Sequence, residues 1–593
     1  MKAVSLFAVL LFARILVLFG RDVPLSWWSP VAYVWQDLLI VLVFAVVDRI
    51  TARRPWISWM VYSATVLYVA INLPLFRLLS SPMTMPMFRA TRGALADSIR
   101  HHLTAENFLL IGSMLGAAVV LPLILRRVKL PTPVAFGLVV LSATVVACGP
   151  VAGSRVETGG LHRNVFVAML DTAFPRVAAQ RTQNGDWRKS PLPIADPVSV
   201  EGADGLSRFK GAAKGRNVVL ILLESTGAQY LKPYGAMEDP MPNLTALAHQ
   251  SILFENAYSV YPESIKGLFS VLCSRYPAMD TRPEIYAGLG TSAIAERLAA
   301  AGYRTALFHS GHFLYLGMGE IVRHRGFQTL EDAGDIGGNH ESSFGVDEPA
   351  AVQRMLNWID SRADGKKFFI AYLPVAGHHP YATPAPGPFP GTTEMDRYRN
   401  ALHYGDASLG ELFDGLKRRG LFDNTLFVIF GDHSEAFGQH EGNYGHTQFI
   451  YEENVRVPWF IVAPGLVREP MRVRRAASLI DTAPTILDLV GLPIPKEYQG
   501  SSLLESRSPM ALFYTDYSLG FLGLRDGSWK FIYELENGRS KLFDLVTDPA
   551  ETRNLAGQHA ARVKAYREHL QRWAAAQRDL VLHPESYPAY SRR

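Results

Sequence analysis

The sequence predicts a two-part chain: an N-terminal bundle of five transmembrane helices followed by an α/β domain around a mostly parallel sheet. Three observations predict it. All the long apolar runs fall before residue 150; short β-rich apolar runs alternate with longer amphipathic stretches after about 215; and four of those short runs end in acid or imidazole. At 593 residues and 48% hydrophobic content, the chain is too long for one ordinary domain. Its mean hydropathy, slightly above zero, is too apolar for a wholly soluble protein.

The membrane part comes first. Runs at 3–20, 28–47, 57–76, 108–125 and 131–149 are each long enough to cross about 30 Å of hydrocarbon, which needs about 20 residues. The first run lacks a small-residue cleavage site and four more follow it, which argues against a signal peptide. Lys2, then Arg49, Arg53 and Arg54, then Arg126, Arg127 and Lys129 lie on one side if the spans alternate, and that side is expected to be the cytoplasm. Arg77, Arg89, Arg92 and Arg100 in the third-to-fourth connection pull against this. Part of that connection, "MFRATRGALADSIRHHL", reads as an amphipathic helix lying on anionic headgroups. Five spans would place everything after 150 outside the cell or in a periplasm. Cys148 and Cys273 are too few for a disulfide framework. A formal charge of +5 suits anionic lipid, and no basic cluster resembles a nucleic-acid groove.

Residues 151–214 form a linker with one helix-like piece, "LHRNVFVAMLDTAF". The catalytic domain is expected over 215–505. There "NVVLILL" ends at Glu224, "YRTALF" at His309, "KFFIAYL" runs on to His378, and "TLFVIF" ends, past Gly431, at Asp432 and His433. Open α/β sheets bind ligands at the carboxyl ends of their strands, so these residues are expected along one edge. A carboxylate beside an Asp-His pair suits a borderline or hard divalent cation. In "YPESIKGLFSVLCSRYP", Ser264 opens a helical pattern that faces Leu268, Val271 and Leu272 to a core. At a helix N-terminus, and bound to a cation, its hydroxyl would ionise near neutral pH and attack phosphorus or sulfur. A helix N-cap serine is the competing structural reading.

These residues carry a resemblance. "NVVLILLESTG", "AGYRTALF", "GDHSEAFGQHEGNYGHTQFIYEENVRVPWFIVAPG", "DTAPTILDLVGLPIP" and "WKFIYELENGRSKLFDLVTDPAETRNLA" resemble, in that order, the sulfatase and alkaline-phosphatase-like superfamily. With the preceding spans, the chain is most similar to its lipoteichoic acid synthase and phosphoethanolamine transferase branch. The resemblance implies an alkaline-phosphatase-like α/β fold with a small C-terminal subdomain, here 506–593. It implies metal ligands Glu224, Ser264, Asp432 and His433, with Ser225 where sulfatases have a second acid and Ser264 as nucleophile. It places His378 and His446 in the substrate pocket, with His309 and His312 as further pocket positions. Lys266, two residues after Ser264, reads either as a balance for phosphate charge or as a solvent-facing helix lysine. Zinc or manganese is the expected metal, with magnesium also fitting, and a second ion through His378 and His446 is conceivable.

Departures from pattern separate the branches. "SIKGL" lacks the proline and arginine needed for conversion to formylglycine, so an unmodified serine is expected. The disulfides and cysteine-flanked threonine of phosphoethanolamine transferases are absent, which favours phosphoglycerol-type transfer. The expectation is a membrane transferase that moves a phosphoryl headgroup from a phospholipid through a covalent Ser264 intermediate to an envelope glycan, glycolipid or polymer. It would act in a bacterial inner membrane with its catalytic domain outside. The tail "LRDGSWKFIYELENGRSKLFDLVTDPAETRNL" resembles soluble sulfatases and keeps a hydrolase of phosphate, phosphonate or sulfate esters as the alternative. A non-catalytic binding domain is a third reading, and metal-type residues at all four expected positions argue against it.

Overall fold

The computed structural model describes residues 2–91, 96–127, 131–181, 186–193, 205–340, 344–361, 365–505 and 509–587. Arg92 and Lys129 of the charge argument lie outside them. The N-terminal part holds α1 (Lys2–Leu18), α2 (Ser29–Ile50), α3 (Pro55–Leu79), the short α4 (Met85–Ala90) and α5 (Ala96–His101), then α6 (Ala105–Leu125) and α7 (Thr132–Arg155). Four of these, α2, α3, α6 and α7, are long and apolar enough to cross a membrane, not the expected five. The first run stops at Leu18 because Gly20 takes a left-handed turn (φ +80°), leaving 17 helical residues, about 25 Å at 1.5 Å per residue. α1 nevertheless belongs to the bundle, since Leu6, Val9, Leu10 and Val17 share a buried cluster with α2 and α3. Its Arg14 is buried against Asp37 of α2 at 2.9 Å. A charge in such surroundings persists only when paired. The outer faces of α6 and α7 expose Phe108, Leu109, Val119, Val120, Phe136 and Leu141, as a lipid-facing surface would.

After a helix α8 (Val165–Asp171), the α/β domain is built on an eight-stranded sheet. Its strands are β1 (Asn217–Leu223), β2 (Ser251–Tyr258), β3 (Arg304–His309), β4 (Thr329–Glu331), β5 (Phe368–Leu373), β6 (Thr425–Gly431), β9 (Arg456–Val462) and β10 (Met471–Ser478); a small hairpin of β7 (Ala436–Phe437) and β8 (Tyr444–Gly445) stands beside it. The order is β10-β2-β9-β6-β1-β5-β3-β4, and β9 runs antiparallel to both its neighbours while the other pairings are parallel. In β1, Val218, Leu220 and Leu222 enter one core layer and Val219, Ile221 and Leu223 the other. Both faces are covered, which is why the strand reads as an unbroken apolar run.

A second sheet, antiparallel and four-stranded, comprises β11 (Ala511–Thr515), β12 (Phe521–Asp526), β13 (Trp529–Glu534) and β14 (Ser540–Asp544), with the helix Ala560–Leu582 packed on it. The linker sits between the parts. Arg163 reaches Ser518 Oγ at 3.0 Å and Glu536 at 3.1 Å, and Arg176 pairs with Asp280 at 2.7 Å.

Candidate active site

Parallel pairing assembles the floor of the site. β1 and β6 are in register with Leu223 opposite Gly431, so the next residues, Glu224 and Asp432, emerge side by side. The helices α9 (Pro242–Ala248) and α10 (Ser264–Cys273) follow β1 and β2 in the chain, and α10 brings Ser264 against both carboxylates. Ser264 Oγ lies 2.8 Å from Glu224 Oε2, 2.6 Å from Asp432 Oδ2 and 3.4 Å from His433 Nε2. Four residues separated by up to 209 positions, Glu224 to His433, thus meet around one point. Glu263, not Ser264, caps α10: its carboxylate accepts from the N–H groups of Ile265 (3.0 Å) and Lys266 (3.4 Å). The serine hydroxyl is thereby released from capping.

Each floor residue is braced from behind. Asp432 Oδ1 accepts from the N–H groups of Ser225 (3.0 Å) and His433 (2.8 Å), leaving Oδ2 to the centre. Ser225 Oγ donates to Glu224 Oε1 at 3.0 Å, and Tyr398 holds the Ser225 carbonyl at 2.6 Å. Ser225 sits at φ +52°, a left-handed conformation that turns the chain sharply after β1. His433 Nδ1 faces the Ser434 carbonyl at 3.1 Å, which aims Nε2 inward.

Protons are too few for this set. Ser264 carries one O–H yet lies within hydrogen-bond reach of two carboxylate oxygens, with His433 Nε2 3.5 Å from Glu224 and 3.7 Å from Asp432. Burial would raise the Glu224 carboxyl, but the hydrogen bond and charge of His433 hold it well below the usual carboxylate range. Burial and the neighbouring Glu224 charge push Asp432 up to about 7. Burial opposes a charge on His433, yet Asp432 and Glu224 together raise it to about 10. The cluster therefore demands positive charge at its centre. Ligand atoms of Glu224, Asp432 and His433 lie within 4.8 Å of one another, and this buried O/N set fits a divalent cation.

Three histidines extend the site. His446 Nδ1 is 2.7 Å from Glu435 Oε2, and the buried Glu435 also accepts from Tyr381 at 2.8 Å. The His446 ring lies 4.2 Å from that of His433. His378 points Nδ1 at the His379 carbonyl (2.8 Å) and packs on Phe344, with 3.8 Å between ring centres. Burial pushes it below its ordinary value. A Cβ at Gly377 would come within 2.1 Å of the Glu224 carbonyl, so only glycine lets this loop pass so close to the floor. His309 closes the sheet side, bonded through Nδ1 to the Leu373 carbonyl (2.9 Å), and lines a small cavity with Glu224, Ser264, Leu268, Met318 and Asp432. His312 is two residues beyond the Ser310 turn, half-buried, on the same loop.

Lys266 does not face this centre. Its ammonium is buried against Asp516 at 2.6 Å and over the Tyr261 ring at 4.8 Å, tying α10 to the loop after β11. It is neither the expected phosphate partner nor a solvent-facing helix lysine. The spacing along α10 gave no sign of this, because the partner lies 250 residues away. Glu263 and Glu435 were also missed as site-building residues, whereas Ser225 was placed at the site by the resemblance alone. Glu435, three positions after Asp432 and eleven before His446, was the one with a signal, since a carboxylate near a pocket histidine is a common orienting pair.

The loop between β7 and β8 is anchored to the helical bundle. Glu441 pairs with Arg21 at 3.1 Å, and Gly442 (φ +74°) lies so close to Ser80 that a Cβ would come 2.0 Å from its hydroxyl. His446 is thus held between the bundle and the sheet edge.

Known proteins share this architecture. Residues 216–492 match the Sulfatase family model, and 440–576 match the model described as N-sulphoglucosamine sulphohydrolase, C-terminal. Lipoteichoic acid synthase 2 of Bacillus subtilis is 25% identical over 317 residues, 50% of this chain and 48% of the relative. Arylsulfatase K of Bos taurus is 32% identical over 173 residues, 26% of this chain and 31% of the relative. The chain thus spans about half the length of the first of these curated relatives and less of the second. A solved protein of the alkaline phosphatase superfamily from Vibrio parahaemolyticus superposes with a TM-score of 0.54 at 21% identity, covering 67% of this chain and 95% of that one. The chain thus carries a Sulfatase-family domain over residues 216–492, on a fold shared with that alkaline phosphatase superfamily protein, and has lipoteichoic acid synthases among its relatives.

Proposed function

We propose that this protein is a membrane transferase that moves a phosphoryl headgroup, phosphoglycerol or phosphoethanolamine, from a phospholipid to a hydroxyl of an envelope glycan, glycolipid or polymer. The observation that carries the proposal is the hydroxyl of Ser264, freed from capping by Glu263 and held 2.6–2.8 Å from two carboxylates on a site anchored to apolar helices. Glu224, Ser264, Asp432 and His433 would hold a divalent cation, which supplies Lewis acidity and lowers the serine pKa.

The residues then divide the work. Ser264, its hydroxyl proton given up to solvent, attacks phosphorus in line through Oγ; the new Oγ–P bond forms as the P–O bond to diacylglycerol breaks. The leaving oxygen takes a proton from His446, which Glu435 orients through Nδ1 across 2.7 Å. In the second displacement an acceptor hydroxyl attacks the serine phosphodiester and Ser264 leaves as the alkoxide. His378 takes the acceptor proton at Nε2, because its Nδ1–H is committed to the His379 carbonyl. That proton then passes through solvent to His446 and restores the one given to diacylglycerol. Bringing the site to the bilayer lets the lipid donor react without leaving its leaflet. The bundle, with the basic flanks of its spans, would seat the protein in a bacterial inner membrane with the catalytic domain on the outer side.

A specific observation favours the second reading, a tethered hydrolase of phosphate, phosphonate or sulfate esters: residues 440–576 resemble the C-terminal part of a sulphohydrolase. One experiment separates the two. The purified full chain is incubated with labelled phosphatidylglycerol or phosphatidylethanolamine, and the Ser264 peptide is weighed by mass spectrometry. Transfer predicts the headgroup mass on Ser264 and diacylglycerol release that continues only with an acceptor. Steady headgroup release into water without acceptor supports hydrolysis, and an adduct on another residue overturns the nucleophile assignment.

A further inference from the structure

Beside His378, a second group of metal-type side chains joins the two halves of the molecule. His101 closes α5, in the connection between the membrane helices α3 and α6; His379 follows β5; and Glu394 opens the helix Glu394–Arg418. Residues up to 293 positions apart therefore converge. One ligand atom from each of His101, His379 and Glu394 lies within 4.8 Å of the others, and His101 Nε2 is 3.9 Å from Glu394 Oε1. The ring centres of His101 and His379 are 5.4 Å apart and nearly perpendicular.

The hydrogen bonds set His379 for coordination. Ser98 Oγ donates to the His379 carbonyl at 3.3 Å and lies 3.1 Å from its Nδ1. With Ser98 donating to the carbonyl, Nδ1 can carry the ring proton and donate to Ser98 Oγ, which leaves the Nε2 lone pair for a metal. An imidazole oriented through its other nitrogen is the usual arrangement at protein-bound metals. His102 stacks flat on His379, with ring centres 5.4 Å apart and 2° between planes, and supports the ring rather than completing the set. The competing cation is Arg397, whose guanidinium stands 3.7 Å from Glu394 Oε1. That exposed i,i+3 contact is worth little, so an arriving metal ion loses little by displacing it.

We propose that His101, His379 and Glu394 form a second metal site for a borderline divalent cation of the zinc class, with solvent completing the coordination. The ion would clasp α5 to the loop that presents His378, fixing the membrane-side connection against the catalytic domain. The proposal is independent of which ester the enzyme acts on.

Metal content tests it. The full chain in detergent is stripped with chelator, reloaded with zinc alone, freed of excess and assayed by mass spectrometry. His101→Ala and Glu394→Gln should each retain one equivalent fewer than the wild type, while Asp432→Asn loses a different one. In the Asp432→Asn background, adding His101→Ala should lower the content by one further equivalent. Unchanged zinc in both His101→Ala and Glu394→Gln would overturn the site, whatever becomes of the ion at Ser264. Both side chains are partly exposed, so neither variant endangers folding.

Discussion

The floor of the active site and its rim are built by different means. Glu224, Asp432 and His433 leave two adjacent strands whose register leaves them no choice of place, and all three are buried. His378 and His446 ride on loops, half-buried, and owe their positions to partners elsewhere: Phe344 for one, Glu435 and the bundle-anchored hairpin loop for the other. In the proposed mechanism the sheet holds the groups that activate the nucleophile, and the loops hold those that meet donor and acceptor.

Breaking the floor should have the largest effect. Ser264→Ala is expected to abolish the adduct and reduce turnover by on the order of 10³-fold or more, measured as diacylglycerol release. Measurable turnover near wild type would separate the serine from the chemistry.

The floor's proton count gives a second test. With no cation bound, His433 keeps its proton up to about pH 10 and Asp432 up to about 7, and both must lose it to become ligands. Binding therefore releases at least one proton between pH 7 and 10 and at least two below 7, with one more where Ser264 ionises. The apparent metal affinity should rise by at least about tenfold per pH unit in the upper range and about a hundredfold in the lower one. Calorimetric titration across pH 6 to 9 checks this, and a flat profile contradicts the ligand assignment.

Rim changes should be smaller. His378→Gln and His446→Gln are each expected to lower turnover about 10²-fold while leaving the floor metal in place. Glu435→Gln, which keeps the shape but loses the charge behind His446, should cost about 10–100-fold. A Glu435→Gln loss as large as that of His446→Gln would show the pair acting as one group. Smallest in turnover per folded molecule is Lys266→Met. It strands the buried Asp516 and should destabilise the protein by about 3–5 kcal/mol in denaturant unfolding, with the surviving enzyme near normal.

The same contrast explains what was legible in the sequence. Apolar runs ending in Glu224, His309 and Asp432 disclosed the strand ends, because a strand buried on both faces must be continuous in sequence. The floor residues follow directly from that. Ser264 was legible as a helix start but not as the residue freed from capping, since Glu263 is an unusual cap and looks like an ordinary acid. Lys266 and Asp516 were opaque for a different reason: their pairing depends on how the C-terminal sheet docks against α10. The count of spans failed at α1, where hydropathy alone does not register that the helix ends at Leu18.

The central claim is that one cation joins Glu224, Ser264, Asp432 and His433. Anomalous diffraction from crystals of the manganese- or zinc-loaded full chain tests it most directly. The account predicts a peak about 2.0–2.2 Å from an oxygen or nitrogen of each of the four. A peak bound elsewhere, or one that leaves the Ser264 hydroxyl out of the coordination sphere, would contradict it.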